Sequence, residues 1–298
     1  MARILVATPI LGDCFDALGA HELVAGVPGS DANAEVLICD PTQVVDLAAI
    51  QRMPALRLIA VAGTGSDAID HDAAGSCGIA TTTAGNVLAE TTADIAFGLI
   101  ISASRLMYDA EVTLRSGSWR GWQFVERFGQ DVHSATLGLV GFGAIGQAVA
   151  RRAQGFQMTV LHHTRHPTGR DGWIEDLDEL LKESDVVSLH VPLHSETLHL
   201  LDRRRIAMLK PTAVLINTSR GAVVDEHALA DALFAGELFA AGLDVYENEP
   251  DVSARLLSAP RTVLLPHIGS ATGKTREAML RSAAEKVAVF LERREVAS

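Results

Sequence analysis

The sequence predicts an α/β fold of two lobes, each wound around a parallel sheet. Three observations carry that reading. Short β-branched runs alternate with longer helical patterns from end to end; the alternation runs twice, on either side of a long apolar helical stretch; and a glycine-rich turn opens the second series. Together they describe two Rossmann-like lobes, and 298 residues leave room for two domains of ordinary size.

The elements follow in order. Strand candidates in the first lobe are Arg3–Ala7, Val36–Cys39, Leu58–Ala62 and Gly78–Thr82, with a helical pattern over Val44–Arg52. The opening run MARILVATPI reads as the first of these strands and not as a signal peptide. A single helix is expected from about Leu88 to Ser116, because Ile95, Leu99, Ala103 and Leu106 recur at spacings of four and three and form one buried stripe. An aromatic-dotted polar loop, SGSWRGWQFVERFGQD, separates it from the second series. Strands are then expected at Thr136–Gly141, Met158–His163, Val186–Val191, Ala213–Asn217, Ala240–Val245 and Thr262–Leu265, and a last helix from Gly273 to Glu292.

Composition excludes several classes. Hydrophobic residues at 48% and charged residues at 21% are the balance of a globular chain. A net charge of −12 disfavours nucleic acid and anionic membrane as partners. Three widely spaced cysteines, Cys14, Cys39 and Cys77, give no disulfide framework and fit a reducing cytoplasm. No apolar run reaches the ~18 residues that span a bilayer. No metal site is expected either: His162 and His163 are adjacent on a strand and face opposite sides, and Pro192 keeps His190 and His194 off a common helix.

The turn LGLVGFGAIG carries the first chemistry. Gly141, Gly143 and Gly146 form GxGxxG between an apolar strand and a helix, the context in which that spacing binds a dinucleotide pyrophosphate. The helix start adds unpaired N–H groups and partial positive charge. NAD enzymes place an acid at the end of the next strand, ~20 residues on, to bind the ribose 2′-hydroxyl. Here that strand ends in Thr164 and Arg165, with no carboxylate to repel a 2′-phosphate and a guanidinium to bind one. NADP(H) is therefore expected to be preferred, with NAD(H) as the alternative.

Three later strands each end in a residue of catalytic type: Arg220 after AVLINTS, Glu249 in the turn after AAGLDV, and His267 after TVLLP. In an open parallel sheet, ligands bind beyond the carboxyl ends of the strands, so these residues would share one edge with the glycine turn. Hydride transfer to a carbonyl carbon requires a proton at its oxygen, which His267 can supply. Glu249 can fix the tautomer of that imidazole and stabilise its charged form, and Arg220 can clamp a substrate carboxylate with two hydrogen bonds. Singly, the bland readings are a solvated cation, a turn cap and a packed histidine. Together behind a dinucleotide turn, the three specify interconversion of a 2-oxo acid and a 2-hydroxy acid.

At this point the sequence resembles the D-isomer-specific 2-hydroxyacid dehydrogenases. The likeness rests on GTGSDAID (63–70), ETTADIAFGLI (90–100), TLGLVGFGAIG (136–146), SDVVSLHVPLHSET (184–197), LINTSRGAVVDEHAL (215–229), AGLDVYENEP (241–250) and LLPHIGSAT (264–272). The catalytic Arg, Glu and His of that family fall on Arg220, Glu249 and His267. The resemblance implies a cofactor domain (93–268) inserted in a flavodoxin-like substrate domain (1–92 and 269–298), with substrate in a cleft that closes over it. It implies that Gly63, Thr64 and Gly65 bind the substrate carboxylate. Cofactor contacts would come from Thr92, Ala144, Ile145, Val191, Pro192, Thr197, Thr218, Asp244 and Gly269, besides the three glycines. The TRHP strand end and the pair Trp119 and Trp122 resemble the glyoxylate/hydroxypyruvate reductases, where a Trp-bearing loop reaches the partner's active site in a homodimer. Trp122 would then touch substrate, or serve only as an interface aromatic. Two departures stand out: Ala144 replaces a basic residue common in the glycine turn, and Thr64 stands where phosphite-oxidising members carry Lys. The expected function is NADPH-dependent reduction of glyoxylate or hydroxypyruvate to the D-2-hydroxy acid. The alternatives are a bulkier 2-oxo acid, or a nucleotide-sensing corepressor on the same fold.

Overall fold

In the computed structural model, which describes residues 1–124 and 128–295, the chain divides into two compact units. One unit is Met1–Leu88 with the C-terminal segment from Ser270, and the other is Ala89–Gly269. The division falls at the start of a long helix, slightly before the 92/93 boundary expected from the sequence.

The first unit holds five parallel strands, β1 (Arg3–Ala7), β2 (Glu22–Ala25), β3 (Val36–Cys39), β4 (Leu58–Val61) and β5 (Ala80–Thr83), in the order β2-β1-β3-β4-β5. That is the flavodoxin-type order, with its switch point between β1 and β3. The pleat sends alternate residues to opposite faces. Ile4, Val6, Val36, Ile38 and Ala60 pack with Leu280, Ala283, Ala284 and Val287 of the C-terminal helix (Gly273–Glu295). Leu5, Leu37 and Ile59 pack on the other face with Ala49 and Ile50 of helix α1 (Leu47–Gln51) and Ala74 of α2 (His71–Ser76). Asp46 and Asp70 start these helices by accepting the N–H groups of Ala49 and Ala73 at 2.7 and 2.9 Å. The α1 helix is shorter than the Val44–Arg52 pattern because Asp46 caps it from within. Strand β2 is absent from the sequence reading: it lies at the sheet edge, is largely exposed, and its apolar run is only three residues long, 23–25.

The second unit opens with α3 (Ala89–Ser104) and α4 (Met107–Arg115), where the sequence predicts one helix. The helix breaks because Leu106 takes a left-handed backbone (φ 51°), and the packing that sustains α3 ends there: Leu99, Ile100 and Ala103 are buried, whereas no residue of α4 is. The stretch Gly85–Ser104 is long and apolar enough to cross a membrane by length and composition, contrary to the sequence reading, yet over half of it is buried inside the protein as core. Six parallel strands follow: β6 (Thr136–Val140), β7 (Thr159–His163), β8 (Val186–Leu189), β9 (Val214–Asn217), β10 (Ala240–Leu243) and β11 (Thr262–Leu264). Between them run α5 (Ala144–Gln154), α6 (Leu177–Glu183), α7 (Arg203–Ile206), α8 (Glu226–Ala235) and α9 (Ala254–Leu257). The sheet order is β11-β10-β9-β8-β6-β7, so the switch point lies between β6 and β8. Helices α3 and α5 cover one face around Leu99, Ile100, Leu137, Leu139 and Val149; the other is covered around Leu180, Leu189, Leu215, Leu229 and Leu233. Gly242 lets α3 settle on β10, since a Cβ there would stand 3.0 Å from that of Leu99. The fold class is thus two doubly wound α/β units, as the alternation predicts.

Candidate active site

The glycine turn joins β6 to α5 beside the switch point. Its three glycines serve different ends. Gly141 has φ 96°, and a Cβ there would meet the His190 carbonyl oxygen at 2.4 Å. A Cβ on Gly146 would meet the Gly141 carbonyl oxygen at 2.4 Å, so α5 can pack against the turn only without one. Gly143, the N-cap of α5, has nothing within 4 Å of where a Cβ would stand. Space is therefore left open at a helix N-terminus, which is what an incoming pyrophosphate requires. Ala144 and Ile145 form the first turn of α5, half-buried. Beneath the turn, burial drops the His190 imidazole to about 4, so it is neutral at ordinary pH. Its Nε2 lies 2.9 Å from Ser188 Oγ.

At the other half of the edge, β9, β10 and β11 are spatial neighbours, and each delivers one candidate residue. Asn217 shapes the turn after β9: its amide donates to the Arg220 carbonyl at 2.8 Å, while its own oxygen accepts from Ser219 N–H and hydroxyl at 3.0 and 2.8 Å. Gly221 seats this turn on the next one. A Cβ at Gly221 would stand 1.8 Å from the Tyr246 carbonyl carbon, a backbone atom that cannot give way. The Arg220 turn and the Glu249 turn are thereby locked together.

Glu249 Oε1 accepts the Tyr246 N–H at 3.0 Å, and Oε2 lies 2.7 Å from His267 Nδ1. Burial pushes the Glu249 carboxyl up, but these two hydrogen bonds and the charges of His267 and Arg220 outweigh it and hold the group below the usual range. With Nδ1 engaged by Glu249, the other ring nitrogen of His267 is left for a ligand. His267 itself has φ 53°, a left-handed conformation uncommon for a side-chain-bearing residue. Asp244 holds it there: its two carboxylate oxygens accept the N–H groups of Ile268 and Gly269, both at 2.7 Å. The Asp244 side chain is buried, and that burial raises its carboxyl despite the two hydrogen bonds. The sequence assigned Asp244 to the cofactor; the structure also makes it the clamp of the His267 turn.

Thr92 of α3 lies against this clamp, with its Cγ2 3.4 Å from where a Gly269 Cβ would be. Thr218 Oγ1 is buried and lacks a hydrogen-bond partner among the described residues. Buried hydroxyls rarely stay unpaired, so an amide-bearing ligand such as a nicotinamide carboxamide fits this position. The open space at Gly143 and the unpaired Thr218 hydroxyl, both on one sheet edge, suit a nicotinamide dinucleotide.

The adenosine side departs from expectation. Thr164 Oγ1 donates to the His166 carbonyl at 2.7 Å. Arg165 Nη1 pairs with Glu196 Oε2 at 3.0 Å, both side chains well exposed. The strand end has no acid of its own, but the loop after β8 supplies one, which corrects the sequence reading that no carboxylate stands there. In that loop, Thr197 is buried and works as a staple: its hydroxyl donates to the Pro192 carbonyl at 2.7 Å and accepts from His194 N–H at 2.9 Å. Val191 packs on the core at the start of the loop, and Pro192 follows it.

In the first unit, the turn Gly63-Thr64-Gly65 follows β4. Gly63 is required by Pro41, whose Cγ would stand 2.9 Å from a Cβ, and the Thr64 hydroxyl donates to the Gly85 carbonyl at 2.7 Å. Trp122 is 80% exposed, next to the segment that lies outside the described residues.

Residues 97–269 match the family model described as D-isomer specific 2-hydroxyacid dehydrogenase, NAD binding domain. A glyoxylate reductase of Thermococcus litoralis is 42% identical over 265 residues, 86% of this chain and 80% of that one. Glyoxylate/hydroxypyruvate reductase B of Escherichia fergusonii is 42% identical over 88% of this chain and 82% of its own. Among solved structures, the NADPH-dependent glyoxylate/hydroxypyruvate reductase of Sinorhizobium meliloti, in complex with NADP and malonate, superposes with a TM-score of 0.88 at 33% identity, covering 97% of this chain and 93% of that one.

Proposed function

The chain belongs to the D-isomer-specific 2-hydroxyacid dehydrogenases, a family of NAD(P)-dependent oxidoreductases, and on that premise we propose that it reduces glyoxylate, hydroxypyruvate or a similarly small 2-oxo acid with NADPH, giving the D-2-hydroxy acid. The observation that carries the reading is the 2.7 Å His267–Glu249 bond at the ends of adjacent strands, with the charge of Arg220 felt at Glu249.

The cofactor, when bound, supplies the hydride that reaches the 2-oxo carbon. The residues of the chain do the rest. Arg220 binds the substrate carboxylate and polarises the carbonyl. His267 gives its proton to the carbonyl oxygen as that oxygen gains charge, and Glu249 keeps the ring oriented through Nδ1. Backbone N–H groups of the turn Gly63-Thr64-Gly65 are assigned to a substrate carboxylate. Thr92, Thr218, Asp244 and Gly269 receive the nicotinamide end; Gly141, Gly143, Ala144, Ile145 and Gly146 receive the pyrophosphate; Val191, Pro192 and Thr197 line the adenosine. Thr164 and Arg165 support the preference for NADPH.

Met107, Tyr108, Val112 and Leu114 on α4, with Trp119 and Trp122 beyond it, leave large apolar surface exposed on one segment, which suits a homodimer interface. Three free thiols suit a reducing cytoplasm.

The test is initial-rate oxidation of NADPH and of NADH with glyoxylate, hydroxypyruvate and a panel of bulkier 2-oxo acids. The expected result is turnover with the two small acids, more efficient with NADPH. Equal or better efficiency with NADH would overturn the cofactor assignment, and higher efficiency with bulky acids the substrate assignment.

A further inference from the structure

We propose that Glu196 sets the selectivity between the phosphorylated and unphosphorylated cofactor by holding Arg165. The inference rests on the reading that the ribose 2′ position lies at Thr164–Arg165, and goes beyond it by naming an opposing residue.

Arg165 Nη1 and Glu196 Oε2 are 3.0 Å apart, although the two residues come from the turns after different strands. The Glu196 loop is pinned: the Thr197 hydroxyl closes it against Pro192 and His194, and the Glu196 N–H reaches His194 Nδ1 at 3.2 Å. The backbone that carries Glu196 is thus fixed next to Arg165, within reach of the guanidinium. A 2′-phosphate needs that guanidinium and must first displace the carboxylate, against repulsion between like charges. A free 2′-hydroxyl needs the reverse. It is an O–H donor, and Glu196 offers it the acceptor that an acid at the strand end would otherwise provide. One ion pair therefore presents opposite faces to the two cofactors. Because both side chains are about two-thirds exposed (69% and 67%), the pair is weak enough to open, and its removal is expected to change binding by about two- to fivefold.

The experiment is titration of the purified protein, without substrate, with NADPH and with NADH, read by energy transfer from protein to nicotinamide fluorescence. Calorimetry with 2′,5′-ADP and 5′-AMP serves as the paired probe of the 2′-phosphate alone. E196Q is expected to tighten NADPH and 2′,5′-ADP by about two- to fivefold while NADH and 5′-AMP do not tighten. In an R165Q background the same change should give a smaller gain for NADPH. If E196Q leaves the NADPH-to-NADH affinity ratio unchanged, or moves it toward NADH, while R165Q still weakens NADPH, Glu196 is not the discriminator and the Arg165 reading survives. If R165Q itself leaves NADPH binding unchanged, the 2′-phosphate is not read at Arg165 and both fail. E196A, which keeps no polar group at the position, is expected to shift the ratio in the same direction and guards against an effect of the new amide.

Discussion

The two ends of one sheet edge in the second unit are built in opposite ways. After β9, β10 and β11, polar groups close on one another: Asn217 on Ser219 and Arg220, Glu249 on Tyr246 and His267, Asp244 on Ile268 and Gly269. After β6, β7 and β8, the turns leave room or stay exposed: the open position at Gly143 and the solvent-facing pair of Arg165 and Glu196. Groups that take part in chemistry need fixed geometry, and the first end over-determines it, even holding His267 in a left-handed backbone. Groups that receive a cofactor need to exchange a water-exposed partner for a ligand at low cost, and the second end keeps its partners weak. Substitutions at the closed end should therefore cost far more than those at the open end.

After loss of His267 itself, the largest effect on catalysis is expected from Arg220→Ala, which should lower kcat/KM for glyoxylate by about 10²–10³-fold and raise KM, measured by initial rates. An unchanged KM would break the assignment of the carboxylate clamp. Gly221→Ala should destabilise the second unit by about 3 kcal/mol or more, because its Cβ would meet the Tyr246 backbone. Denaturant melting checks this, and a wild-type midpoint would show that the two turns are not locked. Asp244→Asn replaces one acceptor with a donor facing an N–H, and should lower kcat about tenfold, the equivalent of one lost charged hydrogen bond.

Glu249→Gln sharpens the comparison through pH. The folded Glu249 carboxyl lies below its ordinary value of 4.5, so its contribution to stability is full above that value and is lost as pH falls through the folded value. Wild type and Glu249→Gln should therefore differ in thermal stability at neutral pH and converge in acid, as calorimetry would show. A gap that widens on acidification would mean the bond to His267 does not hold the charged carboxylate.

The sequence and the structure agree most where chemistry imposes a local pattern. Strands β6 to β11 and the placement of Arg220, Glu249 and His267 beyond them were readable because each follows an apolar run and ends in a polar turn. What stayed hidden depends on contacts between segments distant in the chain. The pairing of Arg165 with Glu196 arises only when two loops meet, and Asp244 becomes a clamp only because β10 and β11 are neighbours. The break at Leu106 carries no glycine or proline to announce it, and exists because the packing surface under α3 ends. Strand β2 is an exposed edge, stabilised by pairing with β1 and not by its own apolar pattern.

The central claim is that His267, oriented by Glu249, delivers the proton that accompanies hydride transfer. It is tested most directly by comparing His267→Ala with wild type for cofactor oxidation on adding glyoxylate, with cofactor affinity measured on the same samples. The account predicts turnover reduced by about 10²–10⁴-fold with affinity essentially unchanged. Near-normal turnover in that variant would contradict it.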